Sequence, residues 1–75
     1  MSKIMPKFYV NVLKSDSQAV FEHKIEEDAR SAYHSELASD YVLFKNGTID
    51  SFTVVLMNQS GDVIDKEFKF RQTEG

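Results

Sequence analysis

The spacing of apolar positions changes twice along the chain, and those changes divide it into elements. In Phe8-Tyr9-Val10-Asn11-Val12-Leu13, residues 8, 10 and 12 share one face and residues 9, 11 and 13 the other, the period of a strand rich in β-branched and aromatic side chains. Ser15-Asp16-Ser17 is a turn cluster. Gln18 to Ile25 then alternates again, with Ala19, Phe21, His23 and Ile25 opposite Val20, Glu22 and Lys24. These two strands are expected to pair as a hairpin. From Glu26 the period becomes that of a helix, with Ala29, Ala32, Tyr33, Leu37 and Tyr41 recurring at spacings of three and four. Glu26, Glu27 and Asp28 fall in or just before its first turn, where each negative charge suits the helix dipole by about 0.3–1 kcal/mol. Ser39-Asp40 is the expected end.

Tyr41-Val42-Leu43-Phe44-Lys45 reads either as a short strand or as an apolar exit from the helix, and Asn46-Gly47 as a tight turn. Phe52 to Met57 is a strand with residues 52, 54 and 56 on one face and 53, 55 and 57 on the other. Asn58 to Asp62 turns the chain into Val63 to Phe70, where Ile64, Phe68 and Phe70 share a face opposite Asp65, Glu67 and Lys69. Residues 1–6 and 71–75 are expected to be frayed tails. The predicted fold is α+β: one domain over residues 1–75, an antiparallel sheet of four strands, or five if 41–45 is extended, with one helix packed on one face. The order is ββα(β)ββ.

A helix of roughly fourteen residues is about 21 Å long and covers only one face of such a sheet. The expected helix side holds Phe8, Val10, Val12, Phe21, Ile25, Phe52, Val54, Leu56, Ile64, Phe68 and Phe70. The opposite face keeps Tyr9, Leu13, Val20, Val55, Met57 and Val63 among polar neighbours. Apolar groups contiguous on an uncovered face mark an interface. Tyr9, Leu13, Val55 and Met57 are therefore candidate partner-binding residues.

Composition narrows the classes. Seventy-five residues lie near the lower size at which a single core outweighs the entropy lost on folding, so a partner or a second copy would add to stability. With no cysteine there is no disulfide framework and no thiolate metal site. Residues 1–7 carry positive charge but no seven-residue apolar run, so no signal peptide is expected. The longest apolar runs, Tyr41–Phe44 and Val54–Met57, are too short to span a membrane. A cytoplasmic location is expected, with no membrane partner.

Net charge is −3, from 12 acidic and 9 basic residues, which makes a nucleic-acid partner unlikely. Asp16, Glu22, Glu26, Glu27, Asp28, Glu36 and Asp40 face only Lys24 and Arg30 within residues 16–40. Glu22, Glu26, Glu27, Asp28, Glu36 and Asp40 are accordingly a second candidate partner-binding set, suited to a basic groove on a protein.

Candidate chemistry is sparse. His23 and His34 match no metal-ligand spacing. Tyr33-His34-Ser35-Glu36 lists the residue types of nucleophilic catalysis, but consecutive helical positions point in different directions and cannot form a triad. Gly47, Gly61 and Gly75 are isolated and form no phosphate-cradling loop. Glu26 and Glu27 read as helix-start charge rather than an acid–base pair. Neither an enzyme nor a metal or cofactor site is expected.

Lys7 to Val12, a short polar turn, Ala19 to Ile25, and the acidic Glu26-Glu27-Asp28-Ala29-Arg30 opening a helix together resemble small bacteriophage-encoded proteins built as a hairpin, a helix and further strands. That group includes a podophage inhibitor of host RNA polymerase and several anti-CRISPR and antitoxin-like proteins. The resemblance is one of layout and carries over no functional residue. It implies a non-enzymatic inhibitor that binds and blocks a host enzyme or defence complex in the host cytoplasm. Two further readings stand beside it: a homodimeric accessory protein pairing through its open sheet face or edge strands, and a single-stranded nucleic-acid binder stacking bases on Tyr9 and its aromatic neighbours.

Overall fold

The computed structural model describes residues 7–71; residues 1–6 and 72–75, on which most of the expected tails fall, lie outside the described residues. The elements run β1 (Phe8–Lys14), β2 (Ser17–His23), α1 (Glu26–Lys45), β3 (Ser51–Asn58) and β4 (Val63–Phe70). The four strands form one antiparallel sheet in the order β2-β1-β3-β4. Because β2 and β3 both run antiparallel to β1, they are parallel to each other, and α1 joins them across one face of the sheet with β1 between. The fold class read from the pattern is thus the observed one, with four strands rather than five.

Period-two alternation is what buries the core. Val10 and Val12 of β1 and Phe52, Val54 and Leu56 of β3 face the helix, where Ala29 and Tyr33 meet them. Ile49, from the loop after α1, closes one end. Phe44 and Tyr41 pack edge-to-face on Phe52, with ring centroids 6.0 and 5.1 Å apart.

Those aromatic contacts explain where the helix ends. Residues 41–45 continue the helix instead of forming a strand, because positions 29, 33, 37, 41 and 44 keep the helical spacing and each turn finds the sheet below it. The helix therefore has 20 residues and is about 30 Å long. Asn46-Gly47 is its stop rather than a hairpin turn. Gly47 takes φ +85°, and its N–H donates to the Phe44 carbonyl while that of Thr48 donates to the Leu43 carbonyl, the paired bonds of a Schellman end. At the other terminus the N-cap position, Ile25, provides no side-chain hydrogen bond. The acidic first turn and the Glu26–Arg30 pair compensate.

The phase of β4 is the second correction. Pairing with β3 slips at Leu56/Met57, so that Met57 opposes Val63 while Leu56 opposes Asp65. Ile64 is the extra residue of this bulge and packs toward the core. Beyond the bulge, Asp65, Glu67 and Lys69 oppose Leu56, Val54 and Phe52 on the helix side, and Phe68 and Phe70 turn to the open face. Tyrosines of α1 favour this arrangement: Tyr41 Oη donates to the Glu67 carboxylate. Burial, followed by the Asp65 and Glu67 charges, pushes the Tyr33 hydroxyl up to about 12, so it stays a neutral donor.

A third correction concerns β2. Phe21 opposes Val10 on the helix side yet is 47 % exposed, and Ile25 is exposed as well, because α1 lies over β1 and β3. What remains between α1 and β2 is a groove of about 280 Å³ lined by Phe21, His23, Ala32, Ser35, Glu36 and Ser39.

Candidate interaction surfaces

The pairing register places every expected open-face residue. Moving across the sheet from β2 to β4, one row reads Glu22, Tyr9, Met57, Val63; the next Val20, Asn11, Val55, Lys66; the next Gln18, Leu13, Thr53, Phe68; and the last described pair is Ser51 with Phe70. Tyr9, Leu13, Val55 and Met57 are thus brought together on one face. No element of the described chain covers them. Val20 is 63 % exposed, Phe68 55 % and Phe70 58 %, with Leu13 and Val63 also exposed. Phe68 and Phe70 stand parallel, their ring centroids 6.3 Å apart.

Polar side chains interrupt this face at Glu22, Gln18, Asn11, Thr53, Ser51 and Lys66. Glu22 sits at one edge and is paired with Lys7 at 3.7 Å; Lys66 lies in β4 at the other. In the middle, the Asn11 amide has the Met57 thioether 3.1 Å away, a weak acceptor that leaves the amide free to bond elsewhere. Four strands about 4.8 Å apart and seven to eight residues long at about 3.3 Å each make a face on the order of 500 Å² in projection. The apolar share of that face, Tyr9, Met57 and Val63 in one row with Val20, Val55, Leu13, Phe68 and Phe70 in the others, is a part of that area, and adjoining uncovered apolar groups of this kind mark interfaces.

The acidic set, by contrast, is dispersed. Glu22 lies on the open sheet face, away from the helix. Glu26 is neutralised by Arg30 at 2.8 Å. Glu27 and Asp28 are exposed and in no ion pair among the described residues. Glu36 is mostly buried, and Asp40 is completely so, at 0 %. Both carboxylates lie 3.4 Å from Lys14 Nζ, at the end of β1 beneath the helix. Asp40 therefore cannot meet a partner, and the expectation that it forms part of an acidic docking surface is corrected by its burial.

One cation serves two carboxylates here, and the imbalance shows at Asp40. Burial first, and the neighbouring Glu36 second, raise Asp40 to about 6 against the opposing pull of Lys14. Neither buried Asp40 oxygen has a hydrogen-bond partner, which adds to the cost of holding the charge there. For Lys14, desolvation lowers the pKa, but Asp40 and then Glu36 outweigh it and the ammonium is held above its ordinary value.

Sequence periodicity did not place Phe68 and Phe70 on the open face. Their alternation with Glu67 and Lys69 was visible; its phase relative to β3 depends on the bulge at Ile64. Lys14 had no sequence signal as the counter-ion of Glu36 and Asp40. Among the described residues, no group of three or more His, Asp or Glu is placed to hold a metal ion, and no helix is long and apolar enough to cross a membrane.

The geometry defines an antiparallel α+β layer pair, one sheet face of which no described residue covers. Compared with models of known protein families, with curated proteins and with solved structures, the chain matches none.

Proposed function

We propose that this chain is a non-enzymatic protein-binding module that docks through the open face of its sheet, acting as a phage-type inhibitor of a host enzyme or defence complex. The observation that carries the docking mode is the row pattern above. Tyr9, Met57 and Val63 adjoin in one row, Leu13 and Phe68 lie across Thr53 in another, and Val20 and Val55 lie between them, with charge confined to the two edge strands. Aromatic and methionine side chains of this kind form the apolar centre of protein interfaces, ringed by polar groups. The inhibitor role rests on the resemblance in layout. A face whose described strands carry Lys66 at one edge and Glu22, paired with Lys7, at the other supports protein recognition over a single-stranded nucleic acid, which needs a basic track beside its stacking platforms.

Affinity capture from a bacterial lysate with three forms of the chain tests the docking mode. Wild type and a variant with Glu26, Glu27 and Asp28 reversed to Lys should retain the same species, whereas Val55→Glu/Met57→Glu, checked for intact fold by circular dichroism, should lose it. Retention by the double face variant, or loss only on charge reversal, would overturn docking through the open face and favour an electrostatic mode at the helix start. Retention of single-stranded RNA in a low-salt filter assay would replace a protein partner with a nucleic acid.

A further inference from the structure

The two edges of the sheet are unequally protected. β4 is interrupted by its bulge and carries Asp65, Lys66, Glu67 and Lys69, features that discourage another strand from adding to it. β2 has no bulge and a single charge, Glu22. It pairs with β1 over residues 17–23 with no register shift, contains neither proline nor lysine, and is exposed at every position but His23. The two-residue Ser15–Asp16 turn makes Lys14 and Ser17 the hydrogen-bonded pair nearest the hairpin end. Gln18, Val20 and Glu22 consequently direct their backbone N–H and C=O groups outward, with no strand beyond them among the described residues.

We propose that β2 pairs antiparallel with β2 of a second copy of this chain, about a two-fold axis at Val20, joining two sheets into one. The chain's own charges select that register. About Val20, Gln18 lies opposite Glu22 of the second copy, whose carboxylate can accept the Gln18 amide, and the Asp16 turn comes beside the second copy's Lys24. Two-fold symmetry makes each contact twice. Moving the axis to Ala19 sets Asp16 opposite Glu22, and moving it to Phe21 carries Asp16 toward Glu26. Both alternatives juxtapose like charges, which destabilises directly opposed cross-strand positions. Outward-pointing backbone groups at Val20 meet their own copies in the hydrogen-bonded arrangement that such an axis requires. The pairing also makes the two open faces continuous across Val20, although it does not depend on what docks there.

Seven paired residues bury much less than the ~800 Å² per partner of a standard interface, so a weak dimer is expected, dissociating in the range of roughly 10 μM to 1 mM. Sedimentation velocity from about 5 μM to about 1 mM reads it. Wild type should shift from monomer to dimer over that span. Val20→Lys, which sets two ammonium groups against each other at the axis, should stay monomeric throughout. Lys24→Glu should weaken association by about tenfold, and Asp16→Lys combined with Lys24→Glu should restore it to within about threefold. All three sites are exposed, so the fold should survive each change. Wild type that remains monomeric at about 1 mM, or a dimer that the charge swap fails to rescue, would overturn the proposal. A dimer abolished by Met57→Glu and indifferent to the Lys24 change would also overturn it, assigning self-association to the open face instead. The lysate capture above reads a different surface, so either result can fail without the other.

Discussion

Replacing Asp40 by Asn is expected to make the protein more stable at neutral pH. The carboxyl titrates near 6 in the folded chain against an ordinary 3.8, chiefly because it is buried and secondarily because Glu36 is its neighbour. Between those two values the folded state holds a proton that the unfolded chain releases, so stability falls as pH rises through the window from about 4 to about 6. At about 1.4 kcal/mol per pH unit, the separation amounts to roughly 2–3 kcal/mol. The counter-ion does not remove it: Lys14 stands 3.4 Å from Asp40 but equally far from Glu36, and its own side chain is 23 % exposed, where water screens the attraction. An asparagine of nearly the same shape carries no charge, and its amide can donate to Glu36. Urea unfolding of wild type from about pH 4.5 to 7.5 should therefore show this group's contribution declining by about 2 kcal/mol. Asp40→Asn should flatten that slope and exceed wild type by about 1–2 kcal/mol at the alkaline end. The opposite result, a variant less stable than wild type at about pH 7.5, would mean that the Lys14 ion pair more than offsets desolvation; breaking a buried pair of that kind costs about 3–5 kcal/mol.

Gly47 ends the helix at φ +85° with nothing within 4 Å of where a Cβ would stand, so Gly47→Ala should cost about 1–2 kcal/mol through backbone strain alone. A thermal melt should read this as a drop of several degrees, and an unchanged melting temperature would refute the left-handed helix end. Phe68→Ser and Phe52→Ala form a contrasting pair: the first removes a half-exposed ring from the open face and should change unfolding free energy by less than about 1 kcal/mol, the second empties the core and should cost about 3–5 kcal/mol. Equal losses in urea titrations would place Phe68 under the helix and remove the bulge from the account.

Where local pattern and tertiary partner agree, the chain was readable. Period two gave the strands and correctly separated Val10, Val12, Val54 and Leu56 from Tyr9, Leu13, Val55 and Met57, since a central pair of strands covered on one side has only one register that buries its apolar row. The edge strands were harder for the same reason inverted. Ile64, Phe68 and Phe70 look like a core row in isolation, and only the slip opposite Leu56/Met57 turns the last two outward. Residues 41–45 were ambiguous because a run of apolar and aromatic side chains suits either a strand or a helix; the stacking of Tyr41 and Phe44 on Phe52 decides it. Charge counting along residues 16–40 suggested one acidic surface. A linear count has no sense of depth, and Asp40 lies in the interior with Lys14, which is outside the counted segment.

Both proposed surfaces follow from a single shortfall of cover. A rod about 10 Å across spans roughly two strands spaced about 4.8 Å apart, and this one lies on β1 and β3, so β2 and β4 must tolerate water on both sides. β4 does so by turning acids and lysine toward the helix edge and phenylalanines the other way. β2 has no such solution: Phe21 remains half exposed beside a groove and Val20 is bare on the far side. For a chain this short, such exposure is a substantial fraction of the apolar surface available for stabilisation. Any partner that binds only the folded form then raises stability by RT ln(1 + [L]/Kd), about 2.7 kcal/mol at a hundredfold excess over Kd. Cover at those positions, by a protein on the face and by a second strand on the edge as proposed above, would take Val20, Val55 and Met57 out of water and so act on stability by that route.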